Sequence, residues 1–444
     1  MSNFVFTYNL KILMTKEKIS IFWFRRDLRL DDNTGLYNAL TSNHKILALF
    51  IFDTEILDKL ENKNDARVNF IYDELVELKK NLEKMGTSLL IKKGKPIEIF
   101  EELIKEYNIA KVFTNIDYEP YGIQRDGTID NYLNDKKVRF LAYKDHVIYE
   151  KNEIVKIDGK PYTVFTPYKN RWLLKFNSEV IKCFDCDLYF NNFIKIKAFK
   201  MPTLKEIGFK KSNLIIPAKE IPVSIIENYA KTRDYPAIET TGIGLHLRFG
   251  TISIRKTILL AKQYSEIWLS ELIWREFFMQ ILFHFPHVEK GAFKPRYDNI
   301  KWNNNEKEFQ LWCKGKTGYA IVDAGMRELN ATGFMHNRVR MITASFLCKH
   351  LLIDWRWGEA YFAKQLLDFE LSSNNGNWQW AAGTGCDAAP YFRIFNPIAQ
   401  TQKFDSKLTY IKKWVHELND LNYFHIVDHQ FARERCLKAY KEIF

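Results

Sequence analysis

The spacing of apolar residues divides the chain into two kinds of territory. In the first third, short apolar runs rich in β-branched and aromatic residues recur at Ile19–Phe24, Ile46–Phe52, Ser88–Lys93 and Lys111–Asn115. Between them, Ala66–Met85 and Ile97–Tyr107 place apolar residues at helical spacing with charges on the opposite face. Strands that alternate with helices predict a parallel, Rossmann-like sheet in an α/β layer fold. No Gly-x-Gly-x-x-Gly follows a strand, so this sheet carries no dinucleotide fingerprint. From Val138 to Ser224 the pattern weakens into short strands, prolines and lysine-rich turns, which read as a long connector over the surface. From Ile225 the helical period dominates, at Ile254–Gln263, Trp268–Phe283, Lys307–Lys314, Ala320–Leu329, His336–Leu352 and Trp357–Phe369. The expected organisation is an α/β domain over 15–137, a connector over 138–224 and an all-α domain over 225–444.

Composition narrows the picture. A chain of 444 residues suits two domains, and 46% hydrophobic with 27% charged residues excludes a disordered chain. No apolar run approaches the roughly 18 residues of a membrane span. The opening MSNFVFTYNLKILMTKEK lacks the apolar core and cleavage site of a signal peptide. A soluble, cytoplasmic protein without a membrane partner is expected. The structured pattern begins just after Met14, which makes Met14 an alternative start to Met1. A net charge of +12 favours a polyanionic partner, nucleic acid before membrane, against the alternative of an evenly basic surface. Cys183, Cys186, Cys313, Cys348, Cys386 and Cys436 are too sparse for a disulfide framework. Cys183 and Cys186 form a CxxC without a second pair or a histidine at ligand spacing, so no metal site is expected. Trp268, Trp274, Trp302, Trp312, Trp355, Trp357, Trp378 and Trp380 crowd one region of a chain with 11 tryptophans. So many rings, interleaved with Asn, Arg and Glu, suggest stacking surfaces and oxidisable groups as well as core anchors.

Long composite motifs then carry a resemblance. FWFRRDLRLDDN (Phe22–Asn33), FTPYKNRW (Phe165–Trp172) and the block from Trp268 to Pro397 are similar to the DNA photolyase and cryptochrome family. That block includes GKTGYAIVDAGMRELNATGFMHNRVRMITASFL and NNGNWQWAAGTGCDAAPYFRIFNP, and the terminal IVDHQFARERCLKAY extends the likeness over nearly the whole chain after Met14. The resemblance implies an N-terminal α/β domain, an α-helical domain that holds FAD in a U-shaped pose, and light-driven chemistry.

Single residues decide the branch. On a helix, Glu271 and Trp274 share a face as i and i+3, and Asn337 and Met341 share one as i and i+4. By the resemblance, Glu271, Trp274, Asn337, Met341 and Trp380 line the cavity that receives a flipped cyclobutane pyrimidine dimer. Trp274 and Trp380 offer flat walls, while Glu271 and Asn337 offer polar groups to base edges. A protonated Glu271 would donate to a thymine carbonyl. Relatives that act on (6–4) photoproducts typically carry histidine around the Asn337 position, so asparagine favours the cyclobutane branch. Taken singly, Trp274 and Met341 read as core.

The same resemblance assigns Trp378, Trp355 and Trp302 to an electron relay, with Trp378 toward the flavin and Trp380 toward substrate. Asn374 matches the residue facing flavin N5, where many cryptochromes carry Asp or Cys. Arg340 and Asp368 match an ion pair beside the ring, with a purely structural salt bridge as the rival reading. Asn337 also matches a contact to the folded adenine. Tyr229 and Trp268 match further FAD contacts, and Glu370 stands where aspartate is usual. At the phosphate end the family shows T-S-x-L-S-P-x-L-x-x-G, whereas this chain has TTGIGLHLRFG (Thr240–Gly250). Thr240 and Thr241 keep hydroxyls, and backbone N–H groups around Gly242, Ile243 and Gly244 are expected to cradle the pyrophosphate. Gly244 replaces the second serine, removing one side-chain contact.

Arg233, Arg338 and Arg393 match basic residues at the cavity rim, where a guanidinium fork suits phosphate. UV-damaged DNA is the expected partner, with no obligate protein partner and a monomeric state. For a second, antenna chromophore, the Asn-Glu pair of folate-binding relatives is replaced here by Tyr121 and Gly122. A deazaflavin, another flavin or an empty antenna site all stay open. The expected function is FAD-dependent, light-driven repair of cyclobutane pyrimidine dimers. The alternative is a cryptochrome-type blue-light sensor, against which stand Asn374 and a chain ending at Phe444 without a signalling tail.

Overall fold

The protein is described from a computed structural model over residues 17–418, 420 and 423–444. The reading of Met14 as a start falls outside these residues. Five strands form one sheet: β1 (Ile19–Phe24), β2 (Lys45–Asp53), β3 (Leu89–Gly94), β4 (Ile109–Asn115) and β5 (Arg139–Tyr143). Their order is β3-β2-β1-β4-β5 and every neighbouring pair is parallel. Central strands covered on both faces need continuous apolar sequence, and β1 is buried at every position. Helices between the strands begin where side chains cap them. Asn33 accepts from Leu36 N ahead of Thr34–Leu40, and Asp65 accepts from Arg67 N ahead of Ala66–Lys84.

The Phe22–Asn33 motif knits the carboxyl ends of the strands. Arg25 pairs with Asp126, Arg26 with Asp117 at 3.0 Å and Arg29 with Asp145 at 2.6 Å. Asn115, at the end of β4, donates to Asp27 at 2.6 Å. Tyr121 donates to Asp53 at the end of β2 at 2.6 Å, so the residue in place of the folate-binding pair is tied into this cluster.

The stretch 138–224 does not run as one connector. β5 lies inside it and forms the sheet edge, where its half-exposed sequence gives no apolar run to read. Phe184–Lys211 also returns to the sheet-bearing unit, with Ile194 N donating to Ile46 O at 2.9 Å and Asn192 Nδ2 to Leu40 O at 2.7 Å. Among the described residues, that unit comprises 17–117, Tyr121–Asp145 and Phe184–Lys211; the second comprises Tyr118–Pro120, His146–Cys183 and the described part of 212–444.

The second unit is helical. Glu266–His284 is its long central helix, started by Ser265, which accepts from Trp268 N at 3.4 Å. Buried Glu276 on this helix accepts from Ile148 N, Tyr149 N and Trp172 Nε1, and so fastens the FTPYKNRW helix Phe165–Ser178. The stretch read as one helix from His336 to Leu352 is α-helical over Asn337–Ser345 and then makes one π-helical turn, Phe346–His350. Trp355–Gln365 and Leu371–Ala382 complete the core, the latter ending at Gly383 with φ 86°. Among the described residues, no helix is long and apolar enough to cross a membrane.

The approach of these last two helices leaves no room at one position. A Cβ on Gly358 would lie 2.1 Å from a Trp378 ring carbon and 2.5 Å from Leu347 Cδ2. Gly358→Ala is therefore expected to cost about 1–3 kcal/mol by overpacking, read as a lower urea midpoint with an altered tryptophan emission.

Candidate functional site

A cavity of about 610 Å³, counting its mouth, lies within the helical unit. It is walled by the helices Asn337–Ser345, Trp355–Gln365 and Leu371–Ala382 and by the link that carries Asp368 and Glu370. Of the residues expected at the site, Asn337, Arg340, Met341, Asp368, Glu370, Asn374, Trp378 and Trp380 line it together. Trp378 belongs to the buried core at 2% exposure, whereas Trp380 is half-buried and Asn337 is exposed. Two indoles two residues apart thus reach one cavity from a buried and a half-buried position. Asn337 and Met341 share a face as expected, with Nδ2 3.9 Å from Sδ.

The polar groups on the inner wall are each fixed from behind. Arg340 Nη2 donates to Asp368 Oδ2 at 2.9 Å, and its Nε donates to Met335 O at 2.6 Å. Arg275 Nη2 donates to Glu370 Oε1 at 3.0 Å, a partner that the longer glutamate arm reaches in place of the usual aspartate. Asn374 Nδ2 donates to Glu359 Oε1 at 2.7 Å and to Glu359 O at 3.1 Å. Burial raises the Glu359 carboxyl above its ordinary range. Asn374 therefore turns its carbonyl oxygen, an acceptor, toward any ligand. Asp368 Oδ1 is buried and has no hydrogen-bond partner among the described residues. A buried carboxylate oxygen left over in a cavity wall asks for an N–H donor. Two acceptors, apolar walls and a guanidinium fit a flat ring with N–H groups at its edge, as in a flavin.

A second polar series joins the remaining helices. Arg233 Nη1 meets Glu271 Oε1 at 2.5 Å, and the next residue, Asp234, accepts from Arg338 Nη2 at 2.6 Å. Arg233 also lies over the Tyr229 ring at 5.5 Å, and Arg338 over Phe404 at 4.4 Å. In this state Glu271 is an ion-pair partner, so donation from it to a base carbonyl requires that pair to open. Trp274 is stacked on Phe165 at 3.6 Å and 9°, which takes one of the two faces expected to serve as a wall. Arg393 is exposed on a loop whose backbone is held by Lys349, the ammonium donating to Arg393 O at 2.9 Å.

At the expected phosphate end, Thr240, Thr241 and Gly242 are half-buried, Ile243 is buried, and Gly242 has φ 61°. The loss of serine at 244 has a steric reason, because a Cβ on Gly244 would sit 2.7 Å from Asp368 Oδ2. Trp268 is buried at 2%. Of the expected relay, Trp355 is buried at 1% and half-buried Trp302 meets Tyr440 edge-on at 6.0 Å.

Sequence reasoning missed His336, Glu359 and Arg275. His336 is the N-cap of Asn337–Ser345, its Nδ1 accepting from Arg338 N at 3.2 Å. The helical period was expected from His336, but a histidine is an unusual cap, so its capping role was not foreseen. Glu359 and Arg275 sit on other helices and acquire their roles only through packing.

One unit built on an α/β sheet and a second, helical unit whose cavity is lined by aromatic rings and fixed polar groups describe a two-part flavoprotein. Residues 20–184 match the DNA photolyase family and residues 268–438 match the FAD binding domain of DNA photolyase. The deoxyribodipyrimidine photo-lyase of Escherichia coli K12 is 36% identical over 466 residues, covering 95% of this chain and 98% of that protein. That of Synechococcus sp. is 35% identical over 430 residues, covering 90% and 88%. The solved archaeal photolyase of Sulfolobus tokodaii, described with two FAD molecules, has a TM-score of 0.82 at 33% identity, covering 95% of this chain and 99% of that one. The chain belongs to the DNA photolyase family, and its helical unit is an FAD-binding domain.

The cap at His336 makes the site pH-sensitive. Burial, with Arg340 next, lowers its imidazole to about 4. A depressed histidine stays neutral in the folded protein while the unfolded chain takes up a proton. Its contribution is therefore full above about pH 6.5, is lost as pH falls toward 4 and is flat below. His336→Asn keeps a capping side chain without the titration. Between pH 6.5 and 4 the parent is expected to lose roughly 3 kcal/mol of unfolding free energy relative to this variant, measured by urea titration across that range.

Proposed function

We propose that this protein is a light-driven lyase that splits cyclobutane pyrimidine dimers in DNA, acting as a cytoplasmic monomer. The observation that supports this most is the division within one cavity. Asp368, Asn374 and Arg340 present fixed polar groups in the same cavity as Trp378, while Met341, Trp380 and the exposed Asn337 offer an apolar, aromatic and amide surface. In this reading the first set holds the flavin ring and the second receives the lesion. When bound, FAD in its reduced form supplies, on absorbing light, the electron that opens the dimer and then takes it back.

The chain's own residues do the rest. Arg340 holds Asp368 in place, and Asp368 Oδ1 is the acceptor for a ring N–H. Asn374, held by Glu359, adds a second acceptor, this one neutral, that suits a reduced ring bearing an extra N–H. Tyr229, Trp268 and the loop Thr240–Gly244 complete FAD binding. Trp380 stacks against the extruded pyrimidines, Met341 packs beside them and Asn337 hydrogen-bonds a base edge. Trp274, with one face already on Phe165, contributes its remaining surface. Arg338 and Arg393 meet phosphates flanking the lesion, and Arg233 joins them by exchanging Glu271 for phosphate. That exchange frees Glu271 for the lesion. Trp378, Trp355 and Trp302 are the residues that would pass electrons from a reductant in solution toward a bound, oxidised flavin.

The first test is light-dependent loss of a single thymine dimer from a duplex oligonucleotide, using chemically reduced protein. Loss in light and none in darkness is expected. No loss with FAD bound and reduced would leave a blue-light sensor as the better reading. Glu271→Gln removes the charge that holds Arg233. It is expected to keep or raise affinity for damaged DNA while lowering dimers split per photon absorbed; an unchanged yield removes Glu271 from the chemistry.

A further inference from the structure

The π-helical turn Phe346–His350 carries a lysine into closed core. Lys349 is 1% exposed, and Cys348 beside it and Cys436, on the helix His429–Lys441, are fully buried. The charged or titratable groups that face its ammonium are Cys436, Cys348 and Arg393, with no carboxylate among them. Burial drives both thiols up, Cys436 to about 11, so neither offers an anion at neutral pH. An ammonium without a counter-ion is expensive to bury, and an apolar side chain of that length would pack there without the penalty. What the charge adds is one strong hydrogen bond, from Nζ to Arg393 O at 2.9 Å.

The loop that receives this bond has little else to hold it. It runs from Gly383, past the end of Leu371–Ala382, to Asn396, which caps Pro397–Phe404. Within residues 390–395 the backbone bonds are local, Arg393 N donating to Pro390 O at 2.8 Å and Ile394 N to Phe392 O at 3.1 Å. Tyr391 lies flat against Tyr440 at 5.8 Å and 8°, whereas Phe392 and Arg393 are exposed. Among the described residues, the bond from Lys349 is the one hydrogen bond that ties residues 390–395 to another element. The Arg393 guanidinium lies over Phe395 at 5.8 Å and joins no ion pair among the described residues, so its direction follows its backbone.

We propose that Lys349 is a positioning residue for damaged DNA: from inside the core, its ammonium fixes the backbone at Arg393 and so aims that guanidinium at a phosphate beside the lesion. This rests on the photolyase reading above. Lys349 touches no substrate, and its effect passes through one carbonyl. Burial lowers the Lys349 ammonium to about 8, so the bond is strong at neutral pH and weakens as pH rises through that value. The fold does not weaken in the same window. A lysine whose folded pKa is depressed holds its proton better in the unfolded chain, so stability rises as the proton leaves between about 8 and 10.5. A loss of DNA affinity over that range therefore reports the loop and not unfolding.

The test measures, in darkness, binding of the FAD-loaded protein to a fluorescent duplex bearing one thymine dimer. Lys349→Met keeps the length of the side chain without its charge. It is expected to weaken binding about fivefold at about 0.15 M salt and to cut the salt dependence by about one released ion, the worth of one phosphate contact. Dimers split per photon absorbed by the saturated complex should not change. In Arg393→Ala protein the same substitution should weaken binding no further. Parent affinity is expected to fall about threefold from about pH 7 to about 9, while Arg393→Ala affinity stays level, a comparison that needs no change at Lys349. Unchanged binding in Lys349→Met, a loss that persists in the Arg393→Ala background, or equal pH profiles for parent and Arg393→Ala overturns the proposal. Flavin-loaded parent protein that does not prefer the dimer-bearing duplex to an undamaged one overturns the underlying reading and this inference with it.

Discussion

An open, polar-lined space inside a helical unit must be held against collapse, and most of the second unit is arranged around that need. Desolvated charges cost several kcal/mol each unless paired. Here Arg340 is matched to Asp368 and Arg275 to Glu370, while raised Glu359 is bonded to an amide instead of a charge. Each pairing joins different elements, so the wall groups cannot relax inward one at a time. One oxygen, Asp368 Oδ1, is left without a partner. That remainder suits a ring with an N–H at its edge.

The outer part of the site is organised differently. Glu271, Arg233, Asp234 and Arg338 satisfy one another across adjoining elements. Such a chain keeps basic residues from pulling the rim apart by mutual repulsion, and it supplies carboxylates that phosphate can replace. Stacking of Trp274 on Phe165 belongs to the same economy of self-contact. The inner wall is thus held by pairs that face the cavity, whereas the ion pairs of Arg233 and Arg338 are the ones that the proposed function has exchanged for phosphate.

How much of this was legible depended on whether the relevant physics was local. β1 and β2 could be read because burial on both faces demands unbroken apolar sequence, and their bounds were met within a residue. β5 could not, because an edge strand needs no such run. Leu371–Ala382 was missed as a helix for a related reason. Part of it lines a cavity, so its polar and apolar residues follow no single amphipathic stripe, and Glu370 makes no side-chain cap. Eight of the expected site residues converge on one cavity because the resemblance carried their spatial relation. His336, Glu359 and Arg275 stayed hidden because their roles exist only after distant helices meet. The missing serine at 244 could be noticed in the sequence, but its cause, the nearness of Asp368, could not.

The return of Phe184–Lys211 to the sheet bears on how the chain is made. The sheet-bearing unit is not finished when its last strand, β5, emerges from the ribosome. It lacks the segment that bonds to Ile46 and Leu40 until some forty further residues of the helical unit have been synthesised. The helix Phe165–Ser178 lies in that interval and meets its own partner, Glu276, only later still. A truncation placed after β5 would release an incomplete body, not a free-standing domain. Nascent-chain partners that shield apolar surface have a defined interval in which to act, between the emergence of β5 and that of Lys211.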